Sequence, residues 1–155
     1  MFANRKSADV GRESSSMPGI NMPRVILGGL VAGLVANLFD FIITTQLMAT
    51  EFASMLARLN LAATATDAWV GVFATANFIW GLLLVFTYAS IRPRFGPGPK
   101  TAMIAGIMLW LVVLIFGVLL LAMSLHTPGS YFKSSAFYLV SALASSLAGA
   151  ALYKE

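Results

Sequence analysis

The sequence predicts an all-α integral membrane protein, a bundle of four transmembrane helices with its N and C termini in the cytoplasm. Three observations carry that expectation. Of 155 residues, 59% are apolar and only 10% charged, with a mean hydropathy of +0.84, whereas soluble domains carry about 25% charged residues. Four apolar runs each reach the roughly 20 residues that a hydrocarbon core of about 30 Å demands. Lysine and arginine fall unevenly on the two sides of those runs, which sets orientation because such residues resist translocation.

Residues 1–23 mix charges, serines, Gly and Pro without periodicity and are expected to form a disordered cytoplasmic tail. Residues 24–155 form the expected transmembrane domain. A cleaved leader is the rival for its start, but the apolar run continues through Asn37 and Asp40 to Met48 without a small-residue cleavage site, so an uncleaved first span is expected. The spans are expected at residues 25–48, 69–91, 101–125 and 134–153, the last diluted by serines yet free of charge. One side collects Arg5, Lys6, Arg12, Arg24, Arg92, Arg94, Lys100 and Lys154, while the other has Arg58 and Lys133. That asymmetry places both termini inside.

The connections follow from local chemistry. In "RPRFGPGPK" each proline fixes its own φ and biases the preceding residue away from helix, so span two is expected to end at Ile91 or Arg92, with Thr101 capping span three. Arg92, Arg94 and Lys100 then lie at headgroup level, as a topological lock or a contact for anionic lipid. Phe52, Met55, Leu56 and Leu59 share one face of a helix expected over residues 51–60 on the outer surface, with Asn60 ending it. Thr66 or Asp67 is expected to cap span two, and Trp69, Tyr88, Tyr131 and Tyr153 to form an aromatic belt at the interfaces.

Asp40 is the one ionisable residue well inside a span, at a cost of about 2.5–3.5 kcal/mol near the bilayer centre. Gly29, Gly33, Asn37, Asp40 and Thr44 step by four, four, three and four and share one helical face. Span two offers a matching stripe in Val70, Ala74, Asn77, Gly81, Leu84 and Tyr88, so the two spans are expected to meet through Asp40 and Asn77. This cluster reads either as a hydrogen-bonded register pin, with Asn37, Thr44 and Asn77 as partners, or as a proton or cation site. The pair Gly29/Gly33, the looser Ala102/Gly106 and the series Ser141, Ser145, Gly149 allow close helix approach, within one chain or between chains. Ser134, Tyr138, Ser141, Ser145 and Ala148 give span four a small polar face.

Other chemistries find little support. The net charge of +4 is scattered through short polar gaps rather than laid along one face, against nucleic acid as a partner. Without cysteine there is no disulfide or thiolate metal site. His126 has no companions and is expected to be a solvated loop residue, so neither metal nor cofactor is expected. "GPGPKT" fails as a nucleotide loop because Pro99 stands where the pattern needs a glycine and removes an N–H.

The run from Tyr88 to Ala102, with Arg92, Pro93, Arg94, Phe95, Gly96, Pro97, Gly98, Pro99, Lys100 and Thr101, resembles a stretch that recurs in small four-span bacterial membrane proteins. The ending "AGAALYKE", Ala148 to Glu155, is similar to theirs. The resemblance implies bacterial origin, the inner membrane and the same topology; that group has no established activity, and no catalytic residue carries over. Since no convergent set of reactive residues is visible, the expected function is non-enzymatic: an accessory or scaffold subunit that meets the lipid bilayer and a membrane-protein partner or further copies of itself. The alternative is a small proton-coupled transporter acting as a homodimer through Asp40, with Trp80, Trp110 and the Gly29/Gly33 pair as its motivation.

Overall fold

The structure, a computed structural model, describes residues 19–60 and 66–154, with the side chains of residues 66–68 left aside. The described residues are helical, without strands. Helix α1 spans Met22–Ile42, α2 Ala49–Arg58, α3 Thr66–Phe95, α4 Pro99–Ala122 and α5 Pro128–Leu152. Among the described residues, four stretches are long and apolar enough to cross a bilayer: Met22–Leu47, Trp69–Phe95, Pro99–Ala122 and Pro128–Leu152. The expected tail before residue 19 and the caps at the start of α3 lie outside what is described.

Helix α1 starts where Asn21 Oδ1 accepts from the Arg24 N–H at 3.3 Å, with Pro23 in the first turn. It ends in a π-helical turn, Ile43–Leu47, whose wider loop closes with Met48 N–H donating to Ile43 O at 2.8 Å. Two threonines promote this widening. Thr44 Oγ1 donates to Asp40 O and Thr45 Oγ1 to Phe41 O, each at 2.7 Å, and so compete for carbonyls that the regular ladder would use.

Helix α2 lies at the far end from the termini and buries no residue. Phe52, Met55 and Leu56 are half-buried, Leu59 is exposed, and Asn60, at φ +54°, turns the chain out of the helix. Two side chains tether it: Lys133 Nζ pairs with Glu51 Oε1 at 2.7 Å, and an Arg58 guanidinium N–H donates to Leu125 O at 3.0 Å. The Lys133 hydrogen bond, with that of Thr50, lowers the Glu51 carboxyl from 4.5 to about 2.

Three helix ends differ from the sequence expectation. Helix α3 runs through Pro93 to Phe95 instead of stopping near Ile91; the proline forfeits one ladder bond and crowds the carbonyl four residues back, and the helix ends two residues beyond it. The chain turns at Gly96, φ +82°, whose N–H donates to Arg92 O at 2.8 Å. Helix α4 then begins at Pro99 with Gly98 before it, and Thr101, expected as its cap, is instead a buried third residue. The Thr101 hydroxyl donates to Gly96 O at 2.6 Å and so satisfies the end of α3. Helix α5 starts six residues ahead of expectation: Thr127 Oγ1 accepts from the Ser130 N–H at 3.3 Å, and Pro128 brings the φ that a first helical residue needs.

The helices pack in the ring order α1, α3, α4, α5, with α3 and α5 also meeting across the middle. Neighbouring spans run antiparallel, so the start of α1 meets the end of α5: Asn21 N–H donates to Tyr153 Oη at 3.2 Å, and Asn21 Nδ2 to Lys154 O at 3.3 Å. The core gathers in this half, around Val25, Ala32, Val85, Tyr88, Ala102 and Ala150. Leu34, Val70, Val112 and Ile115 face outward, more than 60% exposed, as contact with hydrocarbon requires. This is the architecture of a multi-pass membrane protein.

The tyrosines correct the expected belt. Tyr88, Tyr131 and Tyr153 are buried inside the bundle, and their hydroxyls serve backbone groups. Tyr88 Oη accepts from Gly98 N–H at 3.2 Å, and Tyr131 donates to Leu114 O. Tyr88 and Tyr153 meet edge to face with centroids 5.9 Å apart. A phenol inside the bundle gains both its ring burial and a backbone partner, so the tyrosines go there rather than to the lipid boundary.

Candidate functional site: an intramembrane polar cluster

The sequence places a carboxyl and two amides on facing stripes of α1 and α3, and the fold brings them together at one depth. Asn77 Nδ2, from α3, donates to Asp40 Oδ2 and to Asn37 Oδ1, each at 3.3 Å. Asn37 Nδ2 donates to Gly33 O on its own helix at 3.0 Å and across to Ala74 O at 3.3 Å. The second carboxyl oxygen is taken by a third helix: the Tyr138 hydroxyl of α5 donates to Asp40 Oδ1 at 3.0 Å. One acid thus ties α1 to both α3 and α5.

Thr44 stands apart from this group. Its hydroxyl turns to backbone carbonyls of its own helix, at 2.7 Å from Asp40 O and 3.4 Å from Phe41 O, rather than to the carboxyl. Asp40, Asn37 and Asn77 are half-buried, and Tyr138 is 36% exposed, so the cluster borders the bundle surface at its Tyr138 side. Its height in the bundle follows from rise alone: Asp40 stands 16 residues above Arg24, about 24 Å at 1.5 Å per residue.

Below the cluster the helices approach to backbone contact. A Cβ on Gly33 would lie 2.7 Å from Phe78 Cα, one on Gly29 2.8 Å from Leu82 Cα, and one on Gly81 2.7 Å from Gly33 Cα. The Gly29/Gly33 pair is therefore consumed within the chain, against α3. Gly28, which the sequence reading passed over, faces α5: a Cβ there would lie 2.6 Å from Gly149 O, and one on Gly149 2.8 Å from Gly28 O. Adjacent residues point about 100° apart on a helix, so the two consecutive glycines serve two different neighbours.

Ser141 and Ser145 are buried on α5 with Gly149. The hydroxyl that crosses between helices belongs to Ser146, which donates to Ala102 O of α4 at 2.7 Å. Trp110 is likewise engaged with α5, its indole N–H donating to Ser135 O at 3.0 Å. His126 is half-buried against Tyr131, centroids 6.4 Å apart, rather than fully solvated. Among the described residues, no three His, Cys, Asp or Glu side chains gather as metal ligands would.

Arg92, Arg94 and Lys100 lie at the opposite end, around the α3–α4 turn. Arg94 and Lys100 are exposed. Arg92 is half-buried, with its guanidinium carbon 5.5 Å from the centroid of the Tyr153 ring. Comparison of the chain with family models, curated proteins and solved structures finds no match, so the geometry above is what bears on function.

Proposed function

We propose that this chain is a non-enzymatic scaffold or accessory subunit of a membrane assembly, resident in a bacterial inner membrane with both termini in the cytoplasm. The observation that supports this reading is the internal use of Asp40, whose two oxygens each accept a hydrogen bond from a different neighbouring helix. An acid so placed sets the register of three helices against one another. The glycine pair that would otherwise support a homodimer through α1 is spent on α3 of the same chain. The charge asymmetry across the spans and the likeness of the Tyr88–Ala102 loop to small bacterial four-span proteins support the placement.

A proton-coupled transporter remains the second reading, favoured by one feature: Tyr138, the partner of Asp40, is 36% exposed and leaves the carboxyl near the bundle surface. Asp40→Asn and Asp40→Ala separate the two. Under the scaffold reading Asp40→Asn accumulates normally and purifies in mild detergent with the same stoichiometric partner as the wild type. Asp40→Ala, which loses both interhelical bonds, is less stable by about 1–2 kcal/mol, since such bonds average about 0.6 kcal/mol each and reach about 1.7. A wild type that migrates alone, and drives a substrate-dependent proton flux in vesicles that Asp40→Asn abolishes, would overturn it.

A further inference from the structure

The end of the bundle that carries both termini holds four exposed cations and a recess. Arg24 stands in the first turn of α1, Arg94 in the last turn of α3, Lys100 in the first turn of α4 and Lys154 just beyond α5. Asp40 and Glu51, the acids whose side chains are described, lie in the opposite half. Between the α3–α4 turn and the end of α5 the surface sinks into a notch of about 140 Å³, walled by Tyr88, Ala102, Ala150 and Ala151 and bordered by Gly98 and Pro99.

We infer that this notch holds an anionic phospholipid, with the headgroup phosphate against Lys100 and Arg94 and the start of an acyl chain against the alanines. Charge complementarity selects the occupant, because exposed cations at the depth of the lipid boundary meet anionic headgroups there. The positive end of α4 adds to the same potential. The notch itself is apolar along Ala102, Ala150 and Ala151, which suits hydrocarbon and offers a free inorganic ion nothing. Tyr88 Oη accepts from Gly98 N–H at 3.2 Å, and its own proton is left to donate to a phosphate or ester oxygen. A purely topological role for the cations needs no recess; a bound lipid does.

The test uses the full chain, extracted in mild detergent, delipidated and titrated with phosphatidylglycerol, phosphatidylcholine or inorganic phosphate, with bound lipid counted by native mass spectrometry. Phosphatidylglycerol binds more tightly than phosphatidylcholine, and inorganic phosphate at matched concentration does not displace it. Removing one cation, in Lys100→Gln, weakens binding about fivefold, and the pair Arg94→Gln with Lys100→Gln about thirtyfold, by the usual value of a basic side chain at an anionic surface. Ala151→Phe fills the notch from an exposed position without altering charge, and weakens phosphatidylglycerol at least fivefold while helicity stays unchanged. Retention of wild-type binding by Ala151→Phe, equal affinity for phosphatidylcholine, or displacement by phosphate overturns the inference. Should Ala151→Phe lose helicity, the decision falls to Lys100→Gln, and wild-type affinity there overturns it as well.

Discussion

Helix α3 carries two glycines whose substitution by alanine should have opposite effects. On Gly81 a Cβ would lie 2.7 Å from Gly33 Cα, with Gly29 backbone also in the way, whereas ordinary contact begins near 3.4 Å. Helices α1 and α3 must therefore separate by at least about 0.7 Å, and the atoms in the way are backbone that no rotamer change relieves. Overpacking of this kind costs about 1–3 kcal/mol, here toward the upper end because backbone must move. Alanine returns about 1 kcal/mol of helix propensity over glycine. The net expectation for Gly81→Ala is a loss of about 2 kcal/mol. Gly71 has nothing within 4 Å of its Cβ direction, so Gly71→Ala should gain up to about 1 kcal/mol. Reversible unfolding in mixed detergent micelles, followed by tryptophan emission and helical circular dichroism, measures both. Equal effects, or a stabilised Gly81→Ala, would show that the α1–α3 contact is not backbone to backbone and refute the reasoning.

Two further outcomes test the ends of the bundle. Because Glu51 is held at about 2 against an ordinary 4.5 by its Lys133 hydrogen bond, the tether of α2 is fully present above pH 4.5 and is lost as pH falls through about 2. Spin-label distances between α2 and α5 should hold from pH 7 to 5, widen at lower pH, and widen at pH 7 in Lys133→Gln; constancy throughout would place the hold on α2 elsewhere. Thr101→Val removes the hydroxyl that serves Gly96 O at 2.6 Å across a part-buried bond, and should cost about 1 kcal/mol, the net value of such a hydrogen bond. The micelle assay reads this directly, and a change below about 0.3 kcal/mol would mean that water takes the hydroxyl's place.

Much of the architecture was legible because its causes are local. Four apolar runs bounded by Pro, Gly and charge need no knowledge of the fold, and the stepping of Asn37 and Asp40 depends on helix geometry alone. What eluded the sequence depends on relations between helices distant in the chain. Tyr138 belonged visibly to a polar face of α5, but its pairing with Asp40 spans 98 residues and needs the relative height of α1 and α5. Gly28 escaped because a search for glycines four apart sees one face, while the adjacent pair Gly28–Gly29 marks two. Thr44 was assigned to the carboxyl by its stripe position, yet a helical threonine readily donates to the carbonyl four residues back. The Thr127–Pro128 start of α5 is a local signal that its polar neighbours Ser130, Lys133, Ser134 and Ser135 mask by diluting the apolar run.

The close seat of Gly28 on Gly149, and the bonds from Asn21 to Tyr153 and Lys154, join the first span to the last. A ribosome delivers α1 to the bilayer well before α5 exists. Until that final segment arrives, the flank of α1 around Gly28 and Ala32 stays open to lipid or to a membrane chaperone. A nascent chain stalled before α5 thus leaves that flank of α1 without the partner it has in the finished bundle.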